Sequence, residues 1–231
     1  MLSGAKEPPM SQDGEGLLGR ARKKLVASKQ LWAREGRLLT GRSARPESQR
    51  LPPGQHRVEN WPVLDLGIQP DVPLERWELT VDGLVETPIR WRWQDFRAQP
   101  LFRDVSDIHC VTAWSRFDNA WEGVSARHLL ATVRPKPDAR FVLLHSHDDY
   151  TTNLPLADFA GEDVLLAHSW QGRPLPREHG GPVRAVLPRL YFWKSAKWLR
   201  RIEFIAEDRR GFWEERGYHD RGDPWSEERY G

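Results

Sequence analysis

The sequence has one cysteine among 231 residues. No disulfide can therefore close within the chain, and stability must come from packing. No apolar run approaches the roughly 18 residues that cross a bilayer, and the first residues carry neither an early basic cluster nor an apolar leader stretch. These absences predict a soluble, cytoplasmic protein without a membrane span. The phosphate-binding pattern G-x-x-x-x-G-K-[ST] is missing, and strands do not alternate regularly with helices. P-loop and doubly wound dinucleotide chemistry lose most of their support. Tyrosine and methionine are scarce, at 4 and 2, whereas tryptophan reaches 12. Many of those indoles must be partly buried, with the N–H seeking an acceptor.

Charge is nearly balanced overall at +2 but unevenly spread, because residues 1–50 hold eleven Lys and Arg against five Asp and Glu. Residues 1–50 are expected as a basic arm, made of a polar tail, an amphipathic helix over 17–39 and a linker. Such a helix suits an anionic membrane or nucleic acid, but docking as a surface helix is the plainer reading and no nucleic-acid partner is expected. Residues 51–231 are expected as one domain. WELTV (77–81) and IRWRW (89–93) alternate as strands around the Asp82-Gly83 turn, and further strands are expected in FVLLH (141–145), VLLAHSW (164–170), PVRAVL (182–187) and RIEFIAE (201–207). Short helices fit 94–99, 125–133 with Ser125 as N-cap, and 156–161. Short helices scattered among many strands give an α+β fold, mostly β.

The lone thiol sits in DIHCVTAWS (107–115). Cys110 can be a small buried apolar residue, a nucleophile, a zinc ligand, or one soft thiolate on a metal whose other ligands belong to a cofactor. His109 is poorly placed as its base, since neighbours on a strand face opposite ways. Zinc lacks a second thiolate, and His145 and His147 do not complete a set. Downstream, residues 177–204 gather His179, Arg184, Arg189, Lys194, Ser195, Lys197, Arg200 and Arg201 around Gly180, Gly181 and aromatic backbone. Gly permits close approach and Arg forks bind phosphate, so this segment suits an anionic, phosphate-bearing ligand. That favours the cofactor-metal reading of Cys110 over the others.

HCVTAWSRFDNAWEGV, PLPREHGGPVRAVLPRLYFWKSAKWLRRIEF and GFWEERGYHDRGDPWSEERY, in that order, resemble the sulfite oxidase family of molybdopterin-dependent oxidoreductases over about residues 51–231. Within it, the chain is most similar to short single-domain bacterial members related to the protein-methionine-sulfoxide reductase catalytic subunit. The resemblance implies the sulfite-oxidase fold, a molybdopterin cofactor and Cys110 as molybdenum ligand. It implies cofactor contacts from Asn60, His109, Ser146, His179 (often Asn in relatives), Arg184, Lys194, Ser195, Ala196 and Lys197, and places Trp121 and Arg116 near the reaction. Neither the immunoglobulin-like dimerisation domain nor the haem domain of larger relatives is expected, and no oligomeric state follows. The implied activity is oxygen-atom or two-electron transfer on a small sulfur or nitrogen oxo compound, with an electron carrier as partner. Its rivals are a non-catalytic molybdopterin-fold binding protein, an anion- or nucleic-acid-binding module using the arm, and a metal-free cysteine hydrolase.

Overall fold

The computed structural model of the protein describes residues 45–231. The helix expected over 17–39 lies outside the described residues. The end of the expected arm belongs to the domain. Arg50 donates to Asp107 at 2.8 and 2.5 Å and to Asp118 at 2.9 Å.

Eleven strands are described. In chain order they are β1 (His56–Arg57), β2 (Glu78–Gly83), β3 (Ile89–Arg92), β4 (Phe102–His109), β5 (Trp114–Ser125) and β6 (Phe141–Ser146). β7 (Thr151–Pro155), β8 (Leu165–Trp170), β9 (Arg173–Pro174), β10 (Arg184–Val186) and β11 (Leu199–Ile205) complete the set. Short α-helices cover Trp93–Arg97, Ala126–Val133 and Leu156–Phe159. The second starts where expected, because the Ser125 hydroxyl accepts from His128 N at 3.1 Å and satisfies one of the helix's free amides.

The strands form two mixed sheets. One runs β3-β2-β11-β6-β7, with β11 parallel to β2; the other runs β1-β5-β8-β10, with β4 on β5 and β9 on β8. Alternation explains the first. Leu79, Val81, Val142, Leu144, Ile202 and Phe204 point inward and form much of the larger core with the helices' Phe96, Leu129 and Phe159. The second sheet holds a smaller cluster of Ile108, Trp114, Trp121, Leu165 and Val186.

Apart from the extended chain expected around His109, the long pair β4–β5 was not expected as strands. Asp104, Asp107, Asp118 and Asn119 are types that strands disfavour, and the ladder shifts register between Ser106 and Ile108. Asp107 and Asp118 are held by Arg50, and Asp107 also accepts from Asp118 N at 3.0 Å. Gly123 lets β5 press on β8, since a Cβ there would lie 2.0 Å from Leu166 O. This pairing carries the thiol to the head of the β4–β5 hairpin.

Candidate functional site

β4 ends at His109, and the chain reverses over Cys110–Ala113. Cys110 N donates to Trp114 O at 2.8 Å and Ala113 N to Cys110 O at 3.1 Å. Thr112 Oγ1 lies 3.1 Å from Cys110 Sγ. The side chain is 6% exposed and borders the smaller core, yet it opens on a cavity of about 300 Å³. Burial pushes the thiol up, while the Thr112 hydrogen bond and the Arg229 guanidinium pull it down.

The opposite wall comes from the β10 region and the segment after it. Arg184 is 2% exposed. Its guanidinium donates to His179 O at 2.8 Å, Ser195 O at 2.7 Å and Ala185 O at 3.2 Å. Its faces rest on Phe192 and Trp61 at 4.1 and 5.4 Å. No carboxylate of the described residues pairs with it, and burial lowers it to about 9. Lys197 Nζ donates to Leu64 O at 2.7 Å and Glu178 O at 3.0 Å, and burial followed by Arg184 lowers it to about 8. Gly180 makes room for Lys197: its φ is 101°, and a Cβ would meet the lysine's own Cβ at 2.7 Å. The His179 ring stacks on Trp61 at 3.7 Å; burial and then Arg184 lower it to about 4, so it is neutral at pH 7. Ser146 Oγ lines the same cavity, fully buried and without a hydrogen-bond partner.

A thiol, a buried guanidinium lacking a counter-anion and an unsatisfied hydroxyl around one cavity suit an anionic cofactor bearing a soft metal. Residues 66–213 match the model of the oxidoreductase molybdopterin binding domain. The chain belongs to this family.

Molybdopterin is accordingly its cofactor and oxidoreduction its class of activity. Among relatives of this molybdopterin-binding domain, the oxidoreductase YuiH of Bacillus subtilis is 48% identical over 188 residues, which cover 80% of this chain and 93% of YuiH. The protein-methionine-sulfoxide reductase catalytic subunit MsrP of Pseudomonas syringae is 28% identical over 158 residues, 61% of this chain and 47% of MsrP. The chain thus spans about half the length of that relative. The sulfane dehydrogenase SoxCD of Paracoccus pantotrophus shares the fold, with a TM-score of 0.56 at 22% identity, covering 60% of this chain and 40% of that one. No helix among the described residues is long and apolar enough to cross a membrane.

Within the molybdopterin-binding domain, the expected site residues divide. Cys110, Ser146, His179, Arg184, Ser195 and Lys197 line the cavity. The others do not. Lys194 is turned the opposite way, fully buried and 2.6 Å from Glu214, with Nζ also donating to Asn153 O and Asp220 O at 2.8 and 2.5 Å. Its charge is spent inside the protein, which corrects the cofactor contact expected of it. Ala196 faces the larger core, and its carbonyl accepts from Ala185 N at 2.9 Å. His109 turns to Ser115 Oγ at 2.8 Å, away from the thiol, as strand alternation requires. Arg116 bonds Asn119 and Glu59 O and covers Trp170, so it is not placed in the cavity either. Trp121 stands one ring behind the cavity, edge-on to Trp61 at 5.4 Å. Asn60 is exposed, and the residue after it, Trp61, is the one that reaches the wall. Trp61, Thr112, Asp148, Trp213 and Tyr218 line the cavity without having been singled out for it. Trp61 stands beside Asn60, and Thr112, Trp213 and Tyr218 fall within the stretches that carry the family resemblance, but neither spacing nor residue type marked them as cavity lining.

Proposed function

We propose that this molybdopterin oxidoreductase moves an oxygen atom, with two electrons, to or from a small uncharged sulfur or nitrogen oxo compound, and that Cys110 is the metal's protein ligand. When bound, the cofactor supplies a metal that changes by two electrons and exchanges one oxygen atom. Cys110 holds the metal from the hairpin side. Arg184 and Lys197 take the cofactor's phosphate, Ser146 offers its free hydroxyl, and the Trp61–His179 stack with Trp213 limits water at the reacting end. A separate electron carrier restores the resting state.

The observation that carries this reading is the shared cavity of the Cys110 thiol and the carboxylate-free Arg184. Charge supports an uncharged substrate. The cationic lining side chains are Arg184 and Lys197, and the wall also carries the carboxyls of Asp65 and Asp148. Once a phosphate takes the two cations, no other cation of the described residues lines the wall for an oxyanion such as sulfite, because Arg116 stays with Asn119. The relative named as a methionine-sulfoxide reductase is consistent with such a substrate.

Protein from a cofactor-competent host should hold stoichiometric molybdenum and turn over neutral sulfoxides or N-oxides in preference to sulfite or nitrate. Cys110→Ser should abolish turnover and change the metal's spectrum with the fold retained. Full activity in Cys110→Ala would make the thiol structural, and efficient turnover of sulfite would remove the uncharged-substrate assignment.

A further inference from the structure

The Cys110–Ala113 turn is supported from far along the chain. Gln55 Nε2 donates to Cys110 O at 3.0 Å, and Gln55 Oε1 accepts from Ser115 Oγ at 3.2 Å. From the other end of the sequence, Arg229 Nη1 donates to Val111 O at 2.5 Å and Nη2 to Pro53 O at 3.4 Å. One guanidinium thereby joins the carbonyl beside the thiol to the 52–55 turn that delivers Gln55. The segment carrying Arg229 is itself fastened next to the cavity, by the bridge between Tyr230 and Tyr218 and by Gly231 N donating to Gly217 O at 3.2 Å.

Fastening the chain's end would need only a donor. Arg229 brings a full charge, partly buried and 5.1 Å from the Tyr191 ring centroid, with no carboxylate of the described residues in ion-pair contact. A cation removed from water is unfavourable unless an anion faces it, and this guanidinium is held on the carbonyl of Val111, the residue that follows the Cys110 thiol at the edge of the cavity. We propose that Arg229 is a positioning residue of the metal site: it fixes the ligand turn through Val111 O and sets a positive charge beside the metal-bound sulfur. The proposal rests on the reading of Cys110 as ligand. A positive charge there favours the reduced, more negative centre and so holds the metal's midpoint potential up.

The test compares Arg229→Gln, Arg229→Lys and Cys110→Ser by molybdenum content, midpoint potential and the paramagnetic-resonance spectrum of the half-reduced metal. Arg229→Gln keeps a donor and loses the charge. It should lower the potential and alter the spectrum, with the melting temperature of the cofactor-free protein nearly unchanged. Arg229→Lys keeps the charge and loses the fork, so the potential should return toward wild type while the spectrum stays altered. Wild-type potential and spectrum in Arg229→Gln overturn the proposal. Should that variant not fold, a wild-type spectrum in Arg229→Lys overturns it equally. Cys110→Ser separates the two readings: an unchanged spectrum there means the thiol is not a ligand, whereas a changed one beside a silent Arg229→Gln rejects the role of Arg229 alone.

Discussion

Lys194 and Arg184 are both buried cations drawn from one basic stretch, and they sit in opposite electrostatic settings. Lys194 is enclosed with Glu214 at 2.6 Å and three further oxygens, Asn153 O, Asn153 Oδ1 and Asp220 O. Arg184 has carbonyl oxygens and aromatic faces, and no carboxylate of the described residues. A buried ion is tolerated when a counter-ion and hydrogen bonds replace its water. Lys194 has its counter-ion within the protein, so it ties the C-terminal segment to the chain that follows β10. Arg184 lacks one among the described residues, and in the proposed reading the cofactor's phosphate supplies it. The presence or absence of a carboxylate separates a structural tie from a ligand-holding group.

The sharpest way to break that contrast is to remove each cation. Lys194→Met strands the Glu214 carboxylate and should lower the unfolding free energy by about 3–5 kcal/mol in a denaturant titration. Adding Glu214→Leu should recover most of the loss; a double variant as unstable as the single one would mean that the pair is not what the fold depends on. Arg184→Met should behave in the opposite way. The cofactor-free protein should lose clearly less stability than Lys194→Met costs, since carbonyls but no carboxylate are left behind, while molybdenum content falls roughly tenfold or more with the loss of charge-assisted hydrogen bonds. A stability loss as large as that of Lys194→Met would erase the distinction.

Lys197 should show a smaller, pH-dependent effect. Its ammonium, lowered to about 8, is a cation below that pH and neutral above it. Affinity of the cofactor-free protein for molybdopterin should therefore weaken as pH rises through about 8, and Lys197→Met should flatten the profile. Stability moves the other way: the penalty for burying the cation is relieved as pH climbs from about 8 toward the 10.5 of a lysine in the unfolded chain. Smallest is His179→Asn, which exchanges one neutral polar group for another and should keep molybdenum content within about twofold. In wild type the unfolded chain takes up a proton near 6.5 and the folded His179 only near 4, so stability falls as pH drops through that window. His179→Asn should remove part of that acid sensitivity.

Much of the first sheet, and β8 and β10 of the second, could be read directly from the residues. β2, β3, β6, β8 and β11 fall where apolar residues alternate or run together, and Ser125 caps its helix as a side-chain oxygen before an apolar face should. β4 and β5 were illegible because Arg50, Asp107 and Asp118 make sense only as a cluster joined across the chain. The same limit governs the site. Cys110, Arg184 and Lys197 could be chosen by chemistry, whereas the aim of each side chain could not. Lys194 and Lys197 differ by three positions, and the one-turn 3-10 helix Phe192–Lys194 sends the first into the protein while Gly180 admits the second to the cavity.

The sequence by itself determined the chemical inventory: one thiol, a phosphate-suited basic and glycine-bearing stretch, and the periodicities of most strands and helices. These follow from residue type and short-range spacing, which the chain carries before it folds. Tertiary structure decided which cation is neutralised internally, which aromatic reaches the cavity, and that Arg229 comes to rest beside Val111. Those outcomes depend on which carboxylate or carbonyl lies within hydrogen-bond distance, and that distance is created only when remote segments pack together.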